Sequence, residues 1–130
     1  MDTPQQYAEF IKPFWAPPSW LFGPVWTVLY IIIIISFGYV FYKTLGGKIS
    51  WVVALPFILN LFFNLIFTYI QFGLQNNVLA AVDIVLVVGT LIWSLIVIFP
   101  IAPWVAYVNI PYLLWGLFAT VLQFTVTYLN

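Results

Sequence analysis

The sequence predicts an all-α integral membrane protein, four transmembrane helices in an up-down bundle forming a single domain over residues 1–130. Two observations carry this. Of the 130 residues, 65% are hydrophobic, 22% aromatic and only 5% charged, whereas a soluble domain of this size clothes itself in roughly a quarter charged residues. Three basic and three acidic side chains cannot hydrate such a surface, so most of the chain has lipid as its solvent. Second, the apolar residues fall in four continuous runs of about 20, the length at which a helix crosses the roughly 30 Å hydrocarbon core. Continuous rather than alternating apolarity also argues against a β-barrel.

Composition excludes several function classes. The net charge is zero, so there is no basic footprint for nucleic acid. Cysteine and histidine are absent and the one methionine is Met1, which removes disulfides, thiol catalysis and conventional transition-metal sites. Tyrosine is the only familiar haem ligand left.

The elements follow in order. Residues 1–18 form an N-terminal loop; MDTPQQYAEFIKPFW has no basic stretch before an apolar core and does not read as a cleaved signal peptide. The first span covers about 20–42, with Pro24 in the opening turns, where a missing N–H is tolerated. The second covers 51–72, the third 78–99 and the fourth 105–129. Their connections, KTLGGK (43–48), GLQNN (73–77) and PIAP (100–103), are short enough to force antiparallel neighbours. Pro56 and Pro111 lie inside apolar runs and are expected to bend their helices. Lys43 and Lys48 flank the first loop; the positive-inside rule places that loop in the cytoplasm, against a partial counterweight from Lys12. Trp51 and Trp104, near span ends, fit an interfacial aromatic belt.

Polar residues inside the spans are the candidate functional positions, because hydrocarbon penalises them unless they meet a partner, a cavity or a ligand. Asn60, Asn64 and Gln71 share one face of the second helix with Phe67, at the helical spacing. Asp83, Thr90 and Ser94 share a face of the third, and Tyr112, Ala119 and Gln123 a stripe of the fourth. Asn60 and Asn64 suit either interhelical hydrogen bonds or ligand anchors. Asp83, the only acid within a span, suits either a structural bond near a helix start or a proton-coupling site. Gly116 and Thr120 form a small-xxx-small pair suited to close packing. Trp26, one turn before Tyr30 and just after Gly23-Pro24, is the aromatic expected to turn inward. Bent helices lined with Trp, Tyr and Asn would enclose an apolar cavity with a few polar anchors.

Several of these stretches resemble one family. KPFWAPPSWLFGPVWTVLY (12–30), KTLGG after the first span, the asparagine-bearing second helix ending FG, VDIVLVVG (82–89) and PYLLWGLFATVLQF (111–124) run in collinear order over nearly the whole chain. They resemble the translocator proteins, also called tryptophan-rich sensory proteins (TspO/MBR). The resemblance implies a helical membrane protein that binds tetrapyrroles such as protoporphyrin IX or a haem-like group, with no bound cofactor, in transport or sensing in a prokaryotic cell membrane. It implies a pocket at Trp26, Trp115 and Ala119, with Tyr30, Asn64 and Leu122 as further lining, beside which Asn60 or Asn64 would anchor the ligand. It makes the segment of Trp15, Pro17, Pro18 and Trp20 the end of a loop over the pocket mouth. Light-dependent porphyrin breakdown is an activity the resemblance admits.

The departures are specific. The resemblance starts at the end of the loop after the family's first helix, so the expectation is a pocket without the wall that this helix contributes. Either the cavity opens to lipid, a second subunit of a homodimer supplies the wall, or pocket function is lost. Gln123 replaces a family asparagine, Phe67 replaces a tryptophan, and no basic residue follows Tyr128 to complete a sterol-recognition pattern. Two other readings stand beside a tetrapyrrole binder: a small dimeric four-helix transporter using Asp83, and a non-binding oligomeric scaffold.

Overall fold

The computed structural model describes residues 15, 19–70 and 77–129. Lys12, Pro17, Pro18 and Gln71, each singled out above, lie outside the described residues. Every regular element among those described is helical. A 3-10 turn, Ser19–Leu21, leads into α1, Phe22–Leu45. Then come α2, Trp51–Tyr69, and α3, Asn77–Ile98, followed by α4, Pro103–Val108, and α5, Ile110–Leu129. Gly23–Leu45, Val78–Ile98 and Ile110–Leu129 are long and apolar enough to cross a membrane, and Trp51–Phe67 is a shorter apolar helix beside them. The protein is a multi-pass integral membrane protein.

The turns are built locally. Between α1 and α2, Gly47 sits at φ 76°, a conformation that favours glycine. The Gly47 N–H donates to the Thr44 carbonyl at 3.1 Å and the Lys48 N–H to the Lys43 carbonyl at 2.8 Å, closing the last turn of α1 in the manner of a glycine-terminated helix. Ser50 then caps α2, its Oγ accepting from the Val52 N–H at 3.2 Å.

The expected fourth span is divided. Rather than running unbroken over 105–129, the chain breaks at Asn109 (φ −93°, ψ 3°). Pro111 is the cause: it has no N–H to give the Tyr107 carbonyl, so the helical ladder is interrupted there. Asn109 repairs the break. Its backbone N–H donates to Ala106 O at 3.3 Å, while its side-chain Nδ2 donates to the Val105 carbonyl at 2.8 Å and to Ser36 Oγ of α1 at 2.9 Å. Pro103 opens α4 at its first position, where no donor is lost. By contrast, α2 continues through Pro56.

Packing shows the antiparallel arrangement directly. Along α1, Trp26, Ser36 and Tyr39 meet Tyr112, Asn109 and Trp104, so the partner numbers fall as those of α1 rise. The main layer is α2 against α3 and α3 against α5, with α1 laid across α2 and α4. Phe37 and Phe57 are edge to face at 4.8 Å in the buried centre. The distribution is inverted relative to a water-soluble protein: Ser36, Asn60, Asn64, Asp83, Thr90, Ser94 and Asn109 are buried, while Ile31, Ile34, Val82, Leu86 and Ile96 face outward. Lipid makes the outward aliphatic surface cheap and the outward amide expensive.

Where α3 and α5 cross, a Cβ built on Gly116 would lie 3.2 Å from Val88 Cγ2. Gly116→Leu is expected to wedge the two helices apart and destabilise the bundle by about 1–3 kcal/mol. Thermal unfolding in detergent checks this; a melting temperature equal to wild type would mean that the crossing is not tight.

Candidate functional site

The centre of the bundle is a directed chain of hydrogen bonds that joins four helices. The Tyr30 hydroxyl on α1 donates to Asn64 Oδ1 on α2 at 2.9 Å. Asn64 Nδ2 donates to the Tyr112 hydroxyl on α5 at 2.9 Å, and that hydroxyl donates to Asn60 Oδ1 at 2.9 Å. Asn60 Nδ2 then donates to the Val87 carbonyl of α3 at 2.8 Å and to Thr90 Oγ1 at 3.2 Å. Thr90 Oγ1 donates onward to the Leu86 carbonyl at 2.8 Å. Spacing of four between Asn60 and Asn64 places both amides on one face of α2, where they grip Tyr112 from two sides. Asn60 and Tyr112 are wholly buried. Asn60 therefore works between helices, whereas Tyr30, at the outer end of the chain, is 36% exposed.

Aromatic rings gather at this end. Trp26 lies against Tyr30 at 5.5 Å and meets Tyr112 edge-on at 6.4 Å. Its indole N–H is buried with no hydrogen-bond partner among the described residues. On α5, Trp115 and Phe118 are tilted together at 5.5 Å, and Trp15 places an edge on Phe118 at 5.8 Å. Trp26, Trp115 and Phe118 all pack on buried Leu122 and Val126. Two tryptophans remote in sequence thus share one aliphatic floor.

Beside them runs a groove of about 580 Å³, walled by Pro24 and Val28 of α1 and by Pro111, Leu114, Trp115 and Phe118 of α5. Both prolines come from helix openings, where their ring flanks replace longer side chains. No charged group lines the groove, so it favours a largely apolar occupant with few polar contacts.

The structure brings Trp26, Tyr30 and Asn64 into one connected unit and Trp26, Trp115 and Leu122 into another, with Trp26 common to both. Ala119 is buried in the main core. Of the expected loop residues, Trp15 lies over Phe118, while Trp20 stands 69% exposed. Asp83 is buried in α3, and its Oδ2 has no hydrogen-bond partner among the described residues. Among the described residues no group of three or more metal-ligating His, Cys, Asp or Glu side chains occurs.

Sequence reasoning did not identify three contributors. Tyr112 stands out there only as part of a stripe, not as the hub of the polar chain. Asn109 is a lone amide in an apolar run just before a proline, which is the signal available for it. Phe118 has no such signal: its role comes from the packing of Trp15 and Trp115.

The family model described as TspO/MBR family matches residues 1–129. The tryptophan-rich protein TspO of Bacillus cereus is 36% identical over 126 residues, spanning 95% of this chain and 80% of that protein. The human translocator protein is 36% identical over 124 residues, 92% of this chain and 72% of its own length. The tryptophan-rich sensory protein of Cereibacter sphaeroides is 32% identical over 128 residues, 95% and 76% respectively.

Tyr112→Phe deletes one hydroxyl and strands two amide groups, so it is expected to cost about 1–3 kcal/mol. A double-mutant cycle with Asn60→Ala in detergent unfolding is expected to give a coupling of about 1 kcal/mol. Additive effects would mean that the Tyr112–Asn60 bond carries no stability.

Proposed function

The chain belongs to the TspO/MBR family, and from that premise we propose that it binds flat, largely apolar ligands of the tetrapyrrole class within the membrane. The observation that carries the reading is a charge-free groove of about 580 Å³ lined by Trp115 and Phe118, with Trp15 packed on Phe118 and Trp26 sharing their Leu122–Val126 floor. A planar conjugated ligand gains most from ring faces and edges, at about 0.5–1.5 kcal/mol for each aromatic pair beyond area burial. Roughly 500 Å³ is the usual scale of a small-molecule site.

Each residue has a distinct part in the proposal. Trp115 and Phe118 offer faces to the ligand. Trp26 offers a face and the buried indole N–H, a donor for an acceptor on the ligand's edge. The Tyr30 hydroxyl has its proton committed to Asn64 and so presents a lone pair. Asn64, Asn60 and Tyr112 hold that hydroxyl and the Trp26 ring in place from behind. Ala119 and Leu122 supply the smooth floor under the rings. Trp15 covers the α5 end of the site.

Protoporphyrin IX titrated into purified protein is expected to quench tryptophan fluorescence saturably. Trp26→Phe and Trp115→Phe are each expected to weaken the Kd by up to about tenfold, the equivalent of one aromatic pair. The shift of the porphyrin absorbance band gives a readout independent of the tryptophans. Non-saturable quenching by wild type would overturn the proposal. Measuring the mass of the detergent complex in the same samples decides whether the binding species is a homodimer.

Asp83 supports a second reading, in which the protein moves its ligand in exchange for a proton carried on that carboxyl. Its buried, unbonded Oδ2 is the supporting observation. Asp83→Asn would then abolish movement driven by a pH gradient in vesicles while leaving the porphyrin Kd unchanged. Equal gradient-driven movement by wild type and Asp83→Asn would exclude it.

A further inference from the structure

The groove of the proposed site has a mouth, and the way α1 is held shows where it lies. Val25 and Leu29, which line the groove, share a face of α1 with Ser36, at i, i+4 and i+11. Ser36 is completely buried. Its Oγ accepts from Asn109 Nδ2 at 2.9 Å and donates to the Ile32 carbonyl at 2.7 Å. Less than a turn further on, Tyr39 meets Trp104 of α4 at 5.0 Å. This half of α1 is clamped to the chain around the helix break. Leu29, about 10 Å back along the helix from Ser36, borders the groove opposite Pro111 instead. The groove begins where the clamp ends.

Below the clamp, α1 rests mainly on α2 and α5 mainly on α3, and the groove runs between α1 and α5 as a slot. Its sides are not alike. Behind it, Trp26 meets Tyr112 edge-on at 6.4 Å and packs with Trp115 on Leu122 and Val126. At one end Trp15 lies against Phe118 at 5.8 Å. At the other, the Ser36–Asn109 bond ties α1 to the break. The outward side is bordered by Val28 and Leu114, which are 57% and 61% exposed, on a surface that faces hydrocarbon. An apolar molecule crossing there passes two aliphatic side chains and displaces no hydrogen bond. A path through either end has to part Trp15 from Phe118 or break the Ser36–Asn109 bond.

We infer that the ligand enters and leaves sideways, from the hydrocarbon of the bilayer, through the slot between Val28 and Leu114. The inference rests on the tetrapyrrole reading of this groove and adds the route to it. The route suits the ligand's chemistry. A flat, largely apolar molecule concentrates in lipid rather than water, and the mouth of the slot holds no polar group that must give up a partner to let it pass. The Ser36–Asn109 bond fixes the separation of the two helices at one end, so the slot keeps its width without α1 and α5 packing on each other along it.

The chain has no cysteine, so Val28→Cys with Leu114→Cys supplies the only thiol pair for a short, reducible bis-methanethiosulfonate bridge across the mouth. Loading and release of protoporphyrin IX are followed by its absorbance band in the full chain reconstituted into vesicles. Bridging the empty protein is expected to slow loading by at least about tenfold, and bridging the loaded protein to slow release as much. Reductant is expected to restore both rates. Bridged protein that loads and releases as fast as its reduced form would overturn the route, as would expulsion of bound porphyrin on bridging, since the bridge would then fill the site rather than bar its mouth. Leu114→Trp is a second probe that needs no bridge. It is expected to slow both rates by about threefold or more, and wild-type rates in a variant of matching helicity would overturn the route. Absence of saturable porphyrin binding by the reduced protein would instead bring down the tetrapyrrole reading itself. Intact equilibrium binding with unhindered exchange brings down the route alone.

Discussion

The Tyr112 hydroxyl is the bond on which the bundle turns. It accepts from Asn64 and donates to Asn60, and through those amides it reaches Tyr30 on α1 and Val87 and Thr90 on α3. Hydrocarbon offers polar groups no alternative partner, so these groups must find one another. Apolar side chains gain little from packing on each other rather than on lipid tails. A polar chain that only closes in one arrangement therefore selects register and rotation that the aliphatic faces leave free. The donors all point the same way, from Tyr30 towards the α3 backbone, which leaves the outer end of the chain as an acceptor beside Trp26.

The same demand explains the helix break. Pro111 removes a backbone donor, and Asn109 responds by placing its own amide on Val105 O and on Ser36. The hydroxyls of Thr44, Thr90, Ser94 and Thr120 likewise turn back on the carbonyl four residues earlier, which hides them without a partner helix. With most of the buried polar groups paired inside, the outward surface is left to aliphatic side chains, and the departures from regular helix become its relief. One groove forms beside Pro24 and Pro111, the other beside α4. Both owe their shape to proline positions. Trp115 and Phe118 line the first, and Phe99 and Tyr107 the second.

Much of this is legible from residue types and spacing. The runs around Ile31–Ile35 and Val85–Leu91 can only be membrane helices at this length and apolarity, and the i, i+4 spacing of Asn60 and Asn64 puts both on one face. The family resemblance rests on long motifs such as LFGPVW and PYLLWGLFAT and extends to Trp26 and Trp115. What spacing cannot supply is partnership. Nothing in the order of residues says that Asn60 and Asn64 both close on Tyr112, or that Asn60 is fully enclosed while Tyr30 is open on one side. Nor does it show that Phe118 receives Trp15, or that Asn109 pairs with Ser36 of a helix 73 residues away.

The sequence by itself determined the solvent, the helical class and the polar inward faces of α2, α3 and α5. Those follow from local quantities: apolar length against bilayer thickness, and a 3.6-residue period. Only the tertiary structure decided where the fourth apolar run divides, which amides act as struts and which ring edges face open space. These depend on groups from different helices competing for the same few partners. In a medium without water, that competition is settled by the one packing that leaves the fewest polar groups alone.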